Sequence, residues 1–285
     1  MMGALYSASR RRVPVVAPAN PIPVGPSSTT ATLNSVSFDI FTDRGNCTNP
    51  GLLCSFHGSG RDADGHRDSF ENWVDLKCLI LCVPLFDDVR FTSDEYQRCN
   101  VVDSDENVNP FSEWSTKYAH SLVAWARARE ARPTMPFRLS GHSAGAQHLS
   151  RVAAYHPLPG ITRYIIANPS THVRAKMTEP MPYGFSNFPS SVMTPLTALQ
   201  NYLAAPITLY AGTADTGTED LAVGPQSMEQ GENRIERARF VFAEAQQEAQ
   251  TRGWEFNWRK VEAQGVGHSN RDMYNAPEVD AAWAA

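Results

Sequence analysis

Short β-branched and apolar runs alternate with helix-patterned stretches along most of this 285-residue chain, and that alternation limits its fold more than any other feature. The runs SVSFDIFT (35–42), LLCSFHG (52–58), CLILCVPLF (78–86), PFRLS (136–140), ITRYIIAN (161–168), APITLYAG (205–212) and EFNWRKVEA (255–263) read as strands. Between them, FSEWSTKYAHSLVAWARARE (111–130) sets Trp114, Tyr118, Leu122 and Trp125 at helical spacing. A second helix is predicted over 143–155, and a long third one carries Ile235, Ala238, Phe242, Ala245 and Ala249 on one face before Gly253 ends it. Strands without a polar face, separated by helices, predict a mostly parallel sheet covered on both sides. Right-handed crossovers then bring the strand C-terminal ends to one edge, where open sheets bind ligands.

With 42% apolar residues the chain has enough material for one large core, so a single domain is expected over 33–285. Residues 1–32, rich in Pro, Ser and Thr, read as a flexible tail. Within the tail, Arg10 to Arg12 precede VPVVAPANPIPVGP, the charge-then-apolar order of a secretory signal, but its prolines break the apolar run. The expectation is a cytoplasmic protein. A net charge of −5 offers no basic face for nucleic acid, and no apolar run approaches the roughly 18 residues that span a bilayer. One stretch, 171–203, is too long for an ordinary connection and reads as a lid or cap-like insertion.

Five cysteines are too few for a disulfide scaffold and lack the paired spacing of a zinc site. Cys54, Cys78 and Cys82 sit in apolar runs and read as small buried hydrophobes; if the protein is exported, Cys47 and Cys99 are a candidate pair. DADG (62–65) resembles the start of a calcium loop, but Arg67 and Trp73 stand where that loop needs glycine and glutamate.

The chemistry is concentrated around FRLSGHSAGAQHLS (137–150), which places Ser143 between two glycines at a strand-to-helix corner. A serine hydroxyl needs a base to take its proton and a third group to orient that base. Of eight histidines, His268 in AQGVGHSNRDM has the right setting, on a glycine-bearing loop after the last strand. Asp215, just past the strand ending at Gly212, is the expected orienting acid, with Asp220 as the alternative. The order Ser, Asp, His follows the strand-turn-helix serine motif. The backbone N–H groups of Ser59 and Ala144 are expected to hold a developing oxyanion. His57, Gly58, Tyr183 and Phe185 are candidate substrate contacts, with Met177, Met181 and Phe188 either lining an apolar pocket or anchoring the insertion. Arg61 and Arg174 are candidates for pairing with a substrate carboxylate.

Taken together, HGSGRDADGHRDSFENW, RLSGHSAGAQHLSR, ANPSTHVRAKMTEPMPYG, QGENRIERARFVF and GVGHSNRDM resemble the α/β-hydrolases from about residue 35 onward, and within them esterases related to polyhydroxybutyrate depolymerases and feruloyl esterases. The resemblance implies an α/β-hydrolase fold with a short lid after the sixth strand. It implies a Ser143, Asp215, His268 triad, no cofactor and no metal, and a small-molecule or oligomeric ester as substrate. Amide or C–C hydrolysis on the same triad, or a non-catalytic binding protein of this fold, are the alternatives.

Overall fold

The computed structural model describes residues 20–284. Eight strands form one sheet: β1 (Gly25–Leu33), β2 (Val36–Arg44), β3 (Gly51–Phe56), β4 (Leu79–Pro84), β5 (Phe137–His142), β6 (Ile161–Ala167), β7 (Ile207–Gly212) and β8 (Arg259–Ala263). Their spatial order is β1-β2-β4-β3-β5-β6-β7-β8. The β1–β2 and β2–β4 pairs are antiparallel and every later pair is parallel. The chain moves outward from β3 to β4 and then returns to the other side of β3 at β5. That reversal opens a crevice beyond the C-terminal ends of β3 and β5, the usual binding place in such sheets.

Ten helices are described: α1 (Ala63–Asp68), α2 (Glu71–Leu76), α3 (Ser93–Gln97), α4 (Lys117–Arg129), α5 (Ala144–Tyr155), α6 (Pro195–Ala204), α7 (Pro225–Met228), α8 (Arg234–Arg252), α9 (Asn270–Asn275) and α10 (Val279–Trp283). Period-two alternation divides the strand side chains between two cores. Leu52, Cys54, Phe56, Leu139 and Leu209 join residues of α4, α5, α6 and α8 on one face; Leu53, Leu81, Ile165 and Tyr210 join α1, α2, α9 and α10 on the other. Gly253, at φ 65°, supplies the left-handed end of α8. Among the described residues no helix is long and apolar enough to cross a membrane.

Three expectations need correction. Of the predicted tail, 25–32 belong to β1, and 20–24 are tied down ahead of it, with Ile22 buried and its N–H donating to Glu130 Oε1; 1–19 lie outside the described residues. β1 is mostly Ser and Thr with only Ala31 and Leu33 buried, so it lacks the apolar signal although Thr suits strands well. Its turn into β2 uses Asn34 and Ser35 at φ 47° and 69°, as a tight two-residue hairpin requires. The helix expected over 111–130 starts late: 111–113 form a single 3-10 turn, Trp114 is extended, and α4 begins at Lys117. Cys47 bonds to Cys78 rather than Cys99, with their Cα atoms 5.7 Å apart, while Cys99 is a buried thiol against His148. The β2–β3 loop ends beside the start of β4, a proximity created by topology.

Four core histidines, His57, His66, His148 and His172, are each at most 4% exposed. Burial lowers their pKa from 6.5 to about 4, 3, 4 and 3 respectively. Above pH 6.5 these rings are neutral in both folded and unfolded chains and leave stability unchanged. As pH falls through the window from 6.5 towards 4, the unfolded chain takes up protons that the folded one refuses, so stability is lost. Asp43 and Glu179, whose carboxyls burial raises from 3.8 and 4.5, act in the opposite sense, and only as acid protonates them. The unfolding free energy is therefore expected to fall between pH 7 and pH 5, by on the order of 1–2 kcal/mol for each buried histidine, and to lower the urea midpoint with it. A level midpoint over that range would contradict this.

Candidate active site

Ser143 stands at the joint between β5 and α5 with φ 55° and ψ −115°, a conformation costly for any residue with a side chain. The two flanking glycines make the joint possible. A Cβ on Gly141 would sit 2.4 Å from the Gly145 carbonyl oxygen, and one on Gly145 would sit 2.0 Å from that of Phe56. Without those side chains α5 packs directly against β5 and β3, and the Ser143 hydroxyl is presented at the crevice.

The C-terminal ends of β7 and β8 deliver the other two groups. Thr213 N–H donates to Ala263 O and Ala214 N–H to Val266 O, fastening the two loops together. Gly212 permits this approach, since a Cβ there would lie 2.3 Å from Val266 O. His268 Nδ1 then lies 2.7 Å from Asp215 Oδ2, and His268 Nε2 lies 3.0 Å from Ser143 Oγ. An ionised carboxylate only accepts, so Nδ1 carries the proton, and in the neutral ring Nε2 is left to accept from the serine hydroxyl. Asp215 is 1% exposed, and its other oxygen faces Arg234 Nη1 at 3.5 Å. Asp220, the alternative acid, is exposed and makes no hydrogen bond to the His268 ring, whose Nδ1 is taken by Asp215; its Oδ2 lies 3.5 Å from Ser59 Oγ.

A cavity of about 310 Å³ opens over Ser143, walled by Gly58, Ser59, Asp62, His142, Asp220 and His268 among others. The N–H of Ala144 begins α5, at the positive end of the helix and without an intrahelical acceptor. Neither it nor the N–H of Ser59 donates to a protein acceptor among the described residues. Three predicted contacts, His57, Tyr183 and Phe185, are not among the residues that wall this cavity. His57 is fully buried and structural: Nδ1–H donates to Gly58 O, and Nε2 accepts from Phe86 N–H. Phe185 is fully buried against Tyr155 and Tyr202. Tyr183 is also buried, with Arg151 over its ring. Gly58 does line the cavity, its Cβ position 3.8 Å from that of Ser143.

The insertion after β6 is present, but the cavity walls include none of its residues. Its aromatics sit in the core because aromatic side chains that can anchor a segment gain more from burial than from facing a wet crevice. Arg174 is committed to Glu244 and Glu229, and Arg61 donates to the carbonyls of Phe86 and Phe91. Neither is available for a substrate carboxylate. Among the described residues no group of three His, Cys, Asp or Glu side chains is placed to hold a metal ion.

No protein-family model and no curated protein matches the chain. Solved structures do. Poly(aspartic acid) hydrolase-1 from Sphingomonas sp. KT-1 superposes with a TM-score of 0.82 at 26% identity, over 89% of this chain and 97% of that one. The poly(3-hydroxybutyrate) depolymerase LpqC from Bordetella parapertussis gives 0.81 at 25% identity, over 88% of both chains. The chain has the α/β-hydrolase fold. An esterase from Thermogutta terrifontis shares that fold more distantly, with a TM-score of 0.50 at 15% identity, over 86% of this chain and 85% of that one. These likenesses support a hydrolase.

Within the hydrolase fold, sequence reasoning overlooked two residues that hold the site together. Asn168, at the end of β6, accepts from Gly212 N–H through Oδ1 and donates to Gly267 O, bridging the loops that carry Asp215 and His268. Arg234 secures the far side of Asp215 and donates to Glu219 O. Asn168 was findable as a polar residue closing an apolar strand. Arg234, at the start of a surface-patterned helix, carried no such signal.

Proposed function

We propose that the protein is a serine hydrolase that cleaves carboxylic esters through an acyl-enzyme. The observation that carries this reading is the unbroken line of hydrogen bonds from Asp215 through His268 to Ser143 at the corner of β5 and α5. Ser143 attacks the carbonyl carbon while His268 Nε2 takes the hydroxyl proton, and Asp215 stabilises the resulting imidazolium. The N–H groups of Ser59 and Ala144 bind the tetrahedral oxyanion, at about 3 kcal/mol each by analogy with removal of one such donor. His268 passes its proton to the leaving alcohol, the alcohol departs, and water activated by the same ring releases the acid.

Amide hydrolysis is the second reading, favoured by the likeness to a poly(aspartic acid) hydrolase, whose polymer is linked by amides. A p-nitrophenyl ester assayed beside its matched anilide separates the two. The ester is expected to turn over at least a thousandfold faster, and a fluorophosphonate is expected to label Ser143 alone. Label on another serine would overturn the assignment, and an anilide rate equal to the ester's would favour the amidase. The proposal extends to location: the Cys47–Cys78 bond supports an oxidising compartment over the expected cytoplasm, where thiols are kept reduced.

A further inference from the structure

We infer that this cleft sorts substrates by charge, with Asp220 setting the order: esters carrying a cationic group near the scissile carbonyl are preferred to neutral ones, and neutral ones to anionic ones. The inference rests on the serine hydrolase reading and names the substrate class of that same site.

Two adjoining cavities carry the argument. The first, about 310 Å³, holds Ser143; the second, about 530 Å³, is walled by Ala214, Asp215, Thr218, Glu219 and Arg234. Asp220 and His268 belong to the walls of both. The first cavity has no Lys or Arg in its walls, and the second has only Arg234, which is 1% exposed and already engaged by Asp215 and Glu219 O. Of the carboxylates, Asp62 accepts Gly65 N–H as the cap of α1, Asp215 is held by His268 and Arg234, and Glu219 walls the second cavity but not the one that holds Ser143. Asp220 is exposed, and among the described residues its carboxylate accepts from the Ser59 hydroxyl alone, at 3.5 Å. Its charge therefore stands beside the loop that is to hold the oxyanion, with no ion pair to a cationic side chain among the described residues. A substrate cation seated there removes that opposition, while a substrate carboxylate adds to it.

The net charge of −5 adds long-range repulsion of polyanions. By this argument the chain is unsuited to poly(aspartic acid), although a hydrolase of that polymer shares its fold.

The test compares kcat/KM for p-nitrophenyl esters of trimethylammonio-butyrate, butyrate and glutarate. At low salt each step in that series is expected to cost about tenfold, the effect of one unit charge several Å away in a partly solvated cleft. Asp220→Asn should compress the cationic-to-anionic ratio at least tenfold; asparagine tolerates the positive φ of 51° at this position. Raising salt to about 1 M should compress the ratio in the unsubstituted enzyme. Competitive inhibition by trimethylammonio-butyrate and by glutarate in the unsubstituted enzyme should follow the same order, independently of any variant. Equal rates on all three esters, a ratio unmoved by Asp220→Asn, or cleavage of poly(aspartic acid) in preference to neutral esters would each overturn the inference while leaving the hydrolase intact. No turnover of any ester, with no label on Ser143, would remove both.

Discussion

Ser143→Ala is expected to lower kcat/KM on a neutral ester by roughly 10⁴- to 10⁶-fold and to leave the fold unchanged. On the proposed mechanism the loss is large because, among the described residues, the Ser143 hydroxyl is the hydrogen-bond partner of His268 Nε2 and the group that takes the acyl chain. Stability should hardly change. The Ser143 hydroxyl caps no helix, and alanine keeps the same Cβ at the same backbone angles. The remaining rate should be that of water attacking a carbonyl held by the Ser59 and Ala144 amides. A variant that retains a tenth of the activity, with an unaltered melting temperature, would show that another nucleophile does the work.

Asp215→Asn is expected to cost about 10⁴-fold in kcat, since an amide in that place favours the wrong ring tautomer and cannot stabilise the imidazolium. This variant carries a second cost that the serine variant does not. Arg234, 1% exposed, loses its buried counter-charge, and breaking such a pair destabilises by about 3 kcal/mol. Kinetics and denaturant titration should therefore both move. Asp220→Asn should reproduce neither effect and should act on charge preference instead. If Asp220→Asn gave the 10⁴-fold loss and Asp215→Asn did not, the acid would have been assigned to the wrong end of the loop.

How much of this was legible depended on whether a residue's role is local. The strands β3, β4 and β7 put side chains into both cores, so their existence and their burial in a sheet covered on both sides follow from composition and spacing; β5 is apolar on one face only, through Phe137 and Leu139. Ser143 was legible because the close contacts around it demand Gly141 and Gly145 at fixed sequence offsets. His268 was reached by elimination, and Asp215 by its nearness to a strand end. β1 was not legible, because a Thr- and Ser-rich edge strand has the composition of a tail until its partner is known. The partners of Cys47 and Asp215 were not legible either: Cys78 and Arg234 are brought to them by the path of the chain through the sheet. Tyr183 and Phe185 show the converse error, in which aromatics near a site in sequence are taken for its lining when they anchor the segment that carries them.

The insertion between β6 and β7 turns its aromatics inward and ties Arg174 to α8, away from the serine. Among the described residues no side chain of that segment walls the cavity over Ser143, so entry to it is expected not to wait on the segment's movement.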